Sequence, residues 1–170
     1  MSTDNYTGEN KKLDRLGDHL EKYLTFVVDE EVYGLEILKV REIVAMMHIS
    51  KVPLVPKFVK GVINLRGKVI PVIDIRLKFD MNDIEYNEHT TIIIVDIDEV
   101  SIGFIVDKTS EVVKIDKSNL MPPPKFGTGI DTSFLKSMAK TQNNVTMIVD
   151  LEKLFSSEEM MSLAAHHKNS

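Results

Sequence analysis

The run from Gly61 to Phe79 permits few folds. Two apolar, β-branched stretches, Val62-Ile63-Asn64-Leu65 and Val69-Ile70-Pro71-Val72-Ile73, flank the pair Arg66-Gly67. Gly67 can take the positive φ that a tight hairpin needs, so the pattern predicts two strands joined at that corner. Arg66 is then presented at the tip and not along a sheet face. A planar, permanently charged side chain on a rigid turn suits a partner's carboxylates or carbonyls, although many turn arginines are only solvated. Nothing in the run resembles a nucleophile, a metal cage or a phosphate cradle.

The rest of the chain repeats this style of short strand and sharp turn. Leu24, Phe26 and Val28 share one face, Asp29-Glu30-Glu31 marks a turn, and Val32 to Ile37 returns as a hairpin partner. Between Glu36 and Met47 the pattern predicts a helical turn and then a strand. Pro53 and Pro56 impose an extended connection. Ile92-Ile93-Ile94-Val95 is apolar on both faces and reads as a central strand. Val100 to Val106 alternates about Gly103, read as a bulge or bend, and Glu111 to Ile115 gives a short strand. Pro122-Pro123-Pro124 is an extended linker, Phe126 to Asn144 reads as loop with at most one helical turn, and Val145 to Val149 is the last strand. Ser156 and Glu159 have capping-box spacing before a helix.

Two segments echo one another: Val72-Ile73-Asp74-Ile75 through Phe79, and Ile148-Val149-Asp150-Leu151 through Phe155. Each is a buried strand ending in an aspartate placed to cap a helical turn. The echo is either a common local motif or a sign of two β lobes of related design.

Composition narrows the function. With 170 residues, 43% apolar and 28% charged, the chain suits one soluble domain or two small lobes sharing a core. The net charge of -5 gives no electrostatic footprint for nucleic acid, and an anionic membrane surface would repel it. There is no cysteine, hence no disulfide or thiolate chemistry. The polar start is unlike a secretory signal, and no apolar run approaches the roughly 20 residues that span a bilayer. These features lead to the expectation of a cytoplasmic protein without direct membrane insertion.

Candidate chemistry is sparse. His166-His167 points apart on a helix end and reads as a solvated tail, and Asp96 with Asp98 reads as a strand end. Gly127-Thr128-Gly129 lacks the context of a dinucleotide loop. Asn144-Val145-Thr146 is a formal glycosylation acceptor without a secretion signal. No catalytic, cofactor-binding or metal-ligating residues are expected, and so no cofactor and no enzyme.

Several ordered motifs resemble the CheW family of bacterial chemotaxis coupling proteins. They are Tyr33-Gly34-Leu35-Glu36-Ile37-Leu38-Lys39-Val40-Arg41-Glu42-Ile43, then Phe58-Val59-Lys60-Gly61-Val62, and Asn64-Leu65-Arg66-Gly67. Ile70-Pro71-Val72-Ile73-Asp74-Ile75-Arg76 and Met147-Ile148-Val149-Asp150-Leu151-Glu152-Lys153-Leu154 complete the set, so that the likeness runs from about Tyr23 to Met161. The resemblance implies a mainly β fold of two five-stranded SH3-like barrel lobes on a shared core, with short helices including one at the C-terminus. Residues 1–20 are expected to be a mobile lead, 21–162 the domain with a lobe boundary near 80–89, and 163–170 a fraying tail.

The resemblance also implies a non-catalytic adaptor that couples methyl-accepting chemoreceptors to the histidine kinase CheA, recruited to receptor clusters at the inner membrane. Its implied partners are the regulatory domain of CheA and the cytoplasmic tip of a chemoreceptor. Arg66 falls on the family's partner-contacting arginine. Val40 and Glu42, by pattern a core valine and a solvated glutamate, fall on the first lobe's partner-facing surface. Gly61 is a bend that could also let a partner approach closely. Val112 is either ordinary core or part of the receptor groove, and Thr91 places a polar group where the family favours an apolar one. The alternative class is a β-barrel that binds a small ligand in an apolar cavity.

Overall fold

The computed structural model describes residues 20–125, 132–141 and 143–168. Among these residues eleven strands form two sheets. The chain begins with β1 (Leu20–Val28) and β2 (Glu31–Glu36), then passes through a 3-10 turn (Ile37–Lys39) into β3 (Val40–Ala45). Next come β4 (Val59–Leu65), β5 (Lys68–Asp74), the one-turn helix α1 (Ile75–Lys78), β6 (Thr91–Ile97) and β7 (Val100–Val106). The remainder is β8 (Lys108–Asp116), β9 (Leu120–Met121), β10 (Leu135–Thr141), β11 (Asn144–Val149), α2 (Leu151–Leu154) and α3 (Ser157–Lys168). No described helix is long and apolar enough to cross a membrane.

The first lobe has the strand order β8-β1-β2-β11-β10-β9 and the second β3-β6-β7-β5-β4. Each closes into a barrel by the same device. In the first, β8 turns through a 3-10 segment (Lys117–Asn119) so that β9 can pair with β10. In the second, the chain beyond β3 bends until Ser50 exchanges backbone hydrogen bonds of 2.8 and 2.9 Å with Val62 of β4. Each sheet thus has five main strands, and β9 is a two-residue addition to the first.

The two lobes share one spatial strand order, circularly permuted along the chain, and the echo in the sequence lies in register. Val72 opposes Gly103 in a parallel pair of β5 and β7, as Ile148 opposes Gly34 in β11 and β2. A Cβ on Gly34 or on Gly103 would meet an isoleucine methyl at 2.9 Å, which explains glycine at both places. Gly103 accordingly sits in unbroken register, without the expected bulge. Asp74 and Asp150 cap α1 and α2, accepting from the Arg76 and Glu152 N–H groups at 2.9 and 3.1 Å. Hairpins at Asp29-Glu30 and Asp98-Glu99 turn with all four φ angles positive.

Burial follows from the alternation of strand side chains. Ile92 and Ile94 fill the second barrel with Ile63, Ile70, Val72 and Ile105. Ile93 and Val95, pointing the other way, enter a larger core between the lobes with Phe26, Leu35, Phe104 and Leu154. Tyr23, Ile115, Ala139 and Ile148 fill the first barrel. Both barrel interiors are occupied by side chains.

Three expectations are corrected. The segment 80–89 joins α1 to β6 inside the second lobe, so it is no lobe boundary. The chain crosses between lobes at Ile37–Lys39 and at the single residue Asp107. The loop expected over 126–144 contains β10, whose inward residues Leu135, Ser137 and Ala139 carry little β-branched signal. The tail expected from 163 is part of α3, because Leu163 is only 2% exposed in the shared core. The lead at 1–19 lies outside the described residues.

The second crossing is locked electrostatically. Arg76 donates to both carboxylate oxygens of Asp107 at 2.9 and 2.7 Å, and the Asp29 N–H donates to the same carboxylate at 2.8 Å. Burial pushes the Asp107 pKa up, but these hydrogen bonds and the Arg76 charge outweigh it and hold the carboxyl below its usual value.

Candidate functional site

The sharpest surface feature is the β4–β5 turn. Arg66 and Gly67 have φ of 52° and 87°, so both central residues are left-handed. An arginine there is strained by roughly 1–2 kcal/mol. Part of this is offset locally by Asn64, whose Oδ1 accepts from the Gly67 N–H at 2.8 Å. The arginine side chain is 69% exposed. It forms an ion pair with Glu42 of β3, whose carboxylate is more sheltered.

That pair spans the seam of the second barrel, since β3 and β4 are its terminal strands. Gly61 makes the seam possible. Its φ is 146°, and a Cβ there would lie 2.0 Å from the Ser50 carbonyl oxygen. The glycine is buried, and its role is to admit the Ser50 backbone at the closure. Val40 opens β3 opposite Val95 and packs half-buried on the shared core. Thr91 begins β6 opposite Ala45 and donates its hydroxyl to the His89 carbonyl at 2.8 Å.

Val40, Glu42, Gly61, Arg66 and Thr91 therefore all belong to the second lobe, because the chain has crossed at Ile37–Lys39 before it reaches Val40. The expectation that Val40 and Glu42 lie on the first lobe is corrected accordingly. Val112 alone is on the first lobe, on β8 opposite Leu24. It is 52% exposed and so is not core.

Sequence reasoning passed over Ile43. It opposes Ile93 as Val112 opposes Leu24, each just beyond a register shift in its strand. Ile43 is 45% exposed, so the two lobes show an apolar side chain at matching outward positions. Alternation along β3, with Val40 and Val44 turned inward, would have placed Ile43 outside. Asn64 was legible too, as an Asn three residues before a turn glycine.

The candidate catalytic residues are not assembled into a site among the described residues. Asp96 accepts from Arg41 at 3.0 Å and Ser101 at 2.8 Å, partners the sequence did not reveal, while Asp98 belongs to a hairpin turn. No cluster of three or more metal-ligating side chains occurs among the described residues. Gly127-Thr128-Gly129 lies outside them.

Comparison with known proteins agrees with this architecture. A family model described as the CheW-like domain matches residues 22–159. Chemotaxis protein CheW of Klebsiella aerogenes is 36% identical over 140 residues, covering 82% of this chain and 84% of that protein. Chemotaxis protein CheW of Bacillus subtilis is 31% identical, covering 84% and 91%. The crystal structure of the scaffolding protein TtCheW from Thermoanaerobacter tengcongensis superposes with a TM-score of 0.74 at 41% identity, covering 82% of this chain and 94% of that one. The closed twin barrels, the Arg66 turn and these matches over most of its length make the chain a member of the CheW family.

Proposed function

We infer that the protein is a non-catalytic adaptor that couples chemoreceptors to the histidine kinase CheA at receptor clusters. The observation that carries this reading is Arg66, an exposed guanidinium on a two-residue turn beside the open edge of β3. A fixed cation at a strand edge gives a partner both orientation and a charge-assisted bond. Ile43, the exposed residue that follows Glu42 on β3, supplies apolar contact area, and Val112 supplies a second such position on the other lobe. Two exposed positions on two rigid lobes suit a protein that holds two partners in one geometry. Filled barrel interiors speak against the alternative of a small ligand held inside a lobe.

The test is a binding assay with purified components, one a receptor cytoplasmic-tip fragment and the other the regulatory domain of CheA. The reading expects each to bind alone and all three to form a ternary complex. Failure to bind either component would overturn it.

A further inference from the structure

The internal repeat allows one lobe to be read against the other. In the second lobe Asp74 is 1% exposed, and its Oδ2 accepts from the Tyr86 hydroxyl at 2.7 Å. Lys60, at the register shift of β4, stands over the same ring with its Nζ 5.7 Å from the centroid. The ring is thus held at its hydroxyl by a carboxylate and at its face by an ammonium. Burial, with Asp74 adding to it, pushes the Tyr86 phenol well above its usual pKa, so it keeps its proton and donates.

The first lobe repeats both halves of this grip. Lys136 occupies the matching register shift of β10, and Asp150 the matching end of β11. The backbone agrees as well: Asp150 N donates to Phe134 O at 2.7 Å, as Asp74 N donates to Phe58 O at 2.9 Å. Lys136 and Asp150 both line a cavity of about 140 Å³, shared with Glu36, Lys39, Leu151 and Glu152. Roughly 150 Å³ holds a benzene ring. The loop that delivers Tyr86 to Asp74 has no described counterpart here, since β11 leads through α2 into α3.

We propose that this cavity receives a tyrosine side chain of a partner protein, its hydroxyl donating to Asp150 and its ring lying beside Lys136, as Tyr86 does between Asp74 and Lys60. The chemistry of the lining selects the occupant. An apolar side chain would cover the Asp150 carboxylate while adding no donor to the one it has in the Glu152 N–H. A cationic one would find Glu36 and Glu152 already paired with Lys136 and Lys39, and would meet both ammonium groups on its way to Asp150. A phenol supplies a neutral donor and a π-face together. This contact lies on the first lobe and is separate from the Arg66 turn, so it stands or falls independently of the role given to Arg66.

The full chain is titrated with acetyl-tyrosinamide while backbone amide resonances are followed, with acetyl-phenylalaninamide as the control. Saturable shifts confined to Lys136, Asp150 and Leu151 are expected, larger with the tyrosine compound. Asp150→Asn, which keeps the helix cap, should weaken the tyrosine compound about tenfold through loss of a charged acceptor. Lys136→Met should weaken both compounds, and unmoved resonances around Tyr86 report that either variant is folded. No saturable shift, equal response to the two compounds, or an unaffected Asp150→Asn protein would overturn the proposal. Binding that appears only after residues 1–19 are removed would assign the cavity to the chain's own N-terminal segment and overturn a partner as the source.

Discussion

Arg66, in the turn that follows β4, and Glu42 of β3 meet in an ion pair across the seam between the two terminal strands of the second barrel's order. The turn that carries Arg66 is therefore aimed by a side chain from a strand to which it is not hydrogen-bonded. Any partner that draws on the Arg66 charge must compete with Glu42 or bind the two as a unit.

Arg66→Ala should weaken binding of the partner that uses the turn by on the order of 1–3 kcal/mol, from loss of a charge-assisted contact. Stability should fall by less than about 1 kcal/mol, because the pair is solvent-exposed. Titration against both partners, with melting curves as the control, decides this. Unchanged affinity for both would leave Arg66 a solvated turn residue.

Gly61→Ala should be far more disruptive than its size implies. The φ of 146° is strained for alanine, and the new methyl would sit on the Ser50 carbonyl. A loss of about 3 kcal/mol or more is expected, with the backbone bonds between Ser50 and Val62 broken. Denaturant unfolding measures the first, and amide exchange at Val62 measures the second. Parent-like exchange protection would show that the seam tolerates a side chain.

Asp107→Asn should cost on the order of 2 kcal/mol at neutral pH, since Arg76 loses its charged acceptor. The Asp107 pKa is depressed in the fold, so its contribution is present above the unfolded value, near about 4, and is lost as pH falls through the lower folded value. The stability gap between parent and variant should accordingly narrow below about pH 4. A gap that stays constant from neutral pH to pH 3 would remove Asp107 from the acid response.

Glu42→Lys and Val112→Asp should separate the two partners. Glu42→Lys puts a like charge beside Arg66 and should weaken the kinase domain more than the receptor tip. Val112→Asp should do the reverse, costing on the order of 1–3 kcal/mol in an apolar contact. Because Val112 is exposed, its variant should stay folded, with stability changed by no more than about 1 kcal/mol. Equal losses for both partners from both variants would point to one composite interface.

The strands with strong β-branched alternation were legible, as were the β4–β5 turn and the capping box, in which Ser156 N donates to Glu159 at 2.8 Å. Each depends on neighbours a few residues apart. Strand β10 was missed because its buried face is built of Leu135, Ser137 and Ala139, which carry weak strand preference. The lobe boundary was misplaced because the true crossings are a three-residue turn and a single aspartate, too short to leave a polar stretch. The meeting of Arg66 with Glu42, and of Gly61 with Ser50, depends on how far the second barrel curls before it closes. That curl is a property of the whole sheet and has no local signature.

The two crossings at Ile37–Lys39 and Asp107 fix more than connectivity. Two points joined covalently to both lobes define a line, and rotation about it is the one rigid-body movement that stretches neither link. That rotation is opposed by the apolar packing between the lobes, by the clamp of Arg76 on Asp107, and by α3, which continues from the first lobe and packs on β5 and β7 of the second with Glu159 paired to Lys78. A protein that held one partner on each lobe would thereby set an angle between them more than a distance.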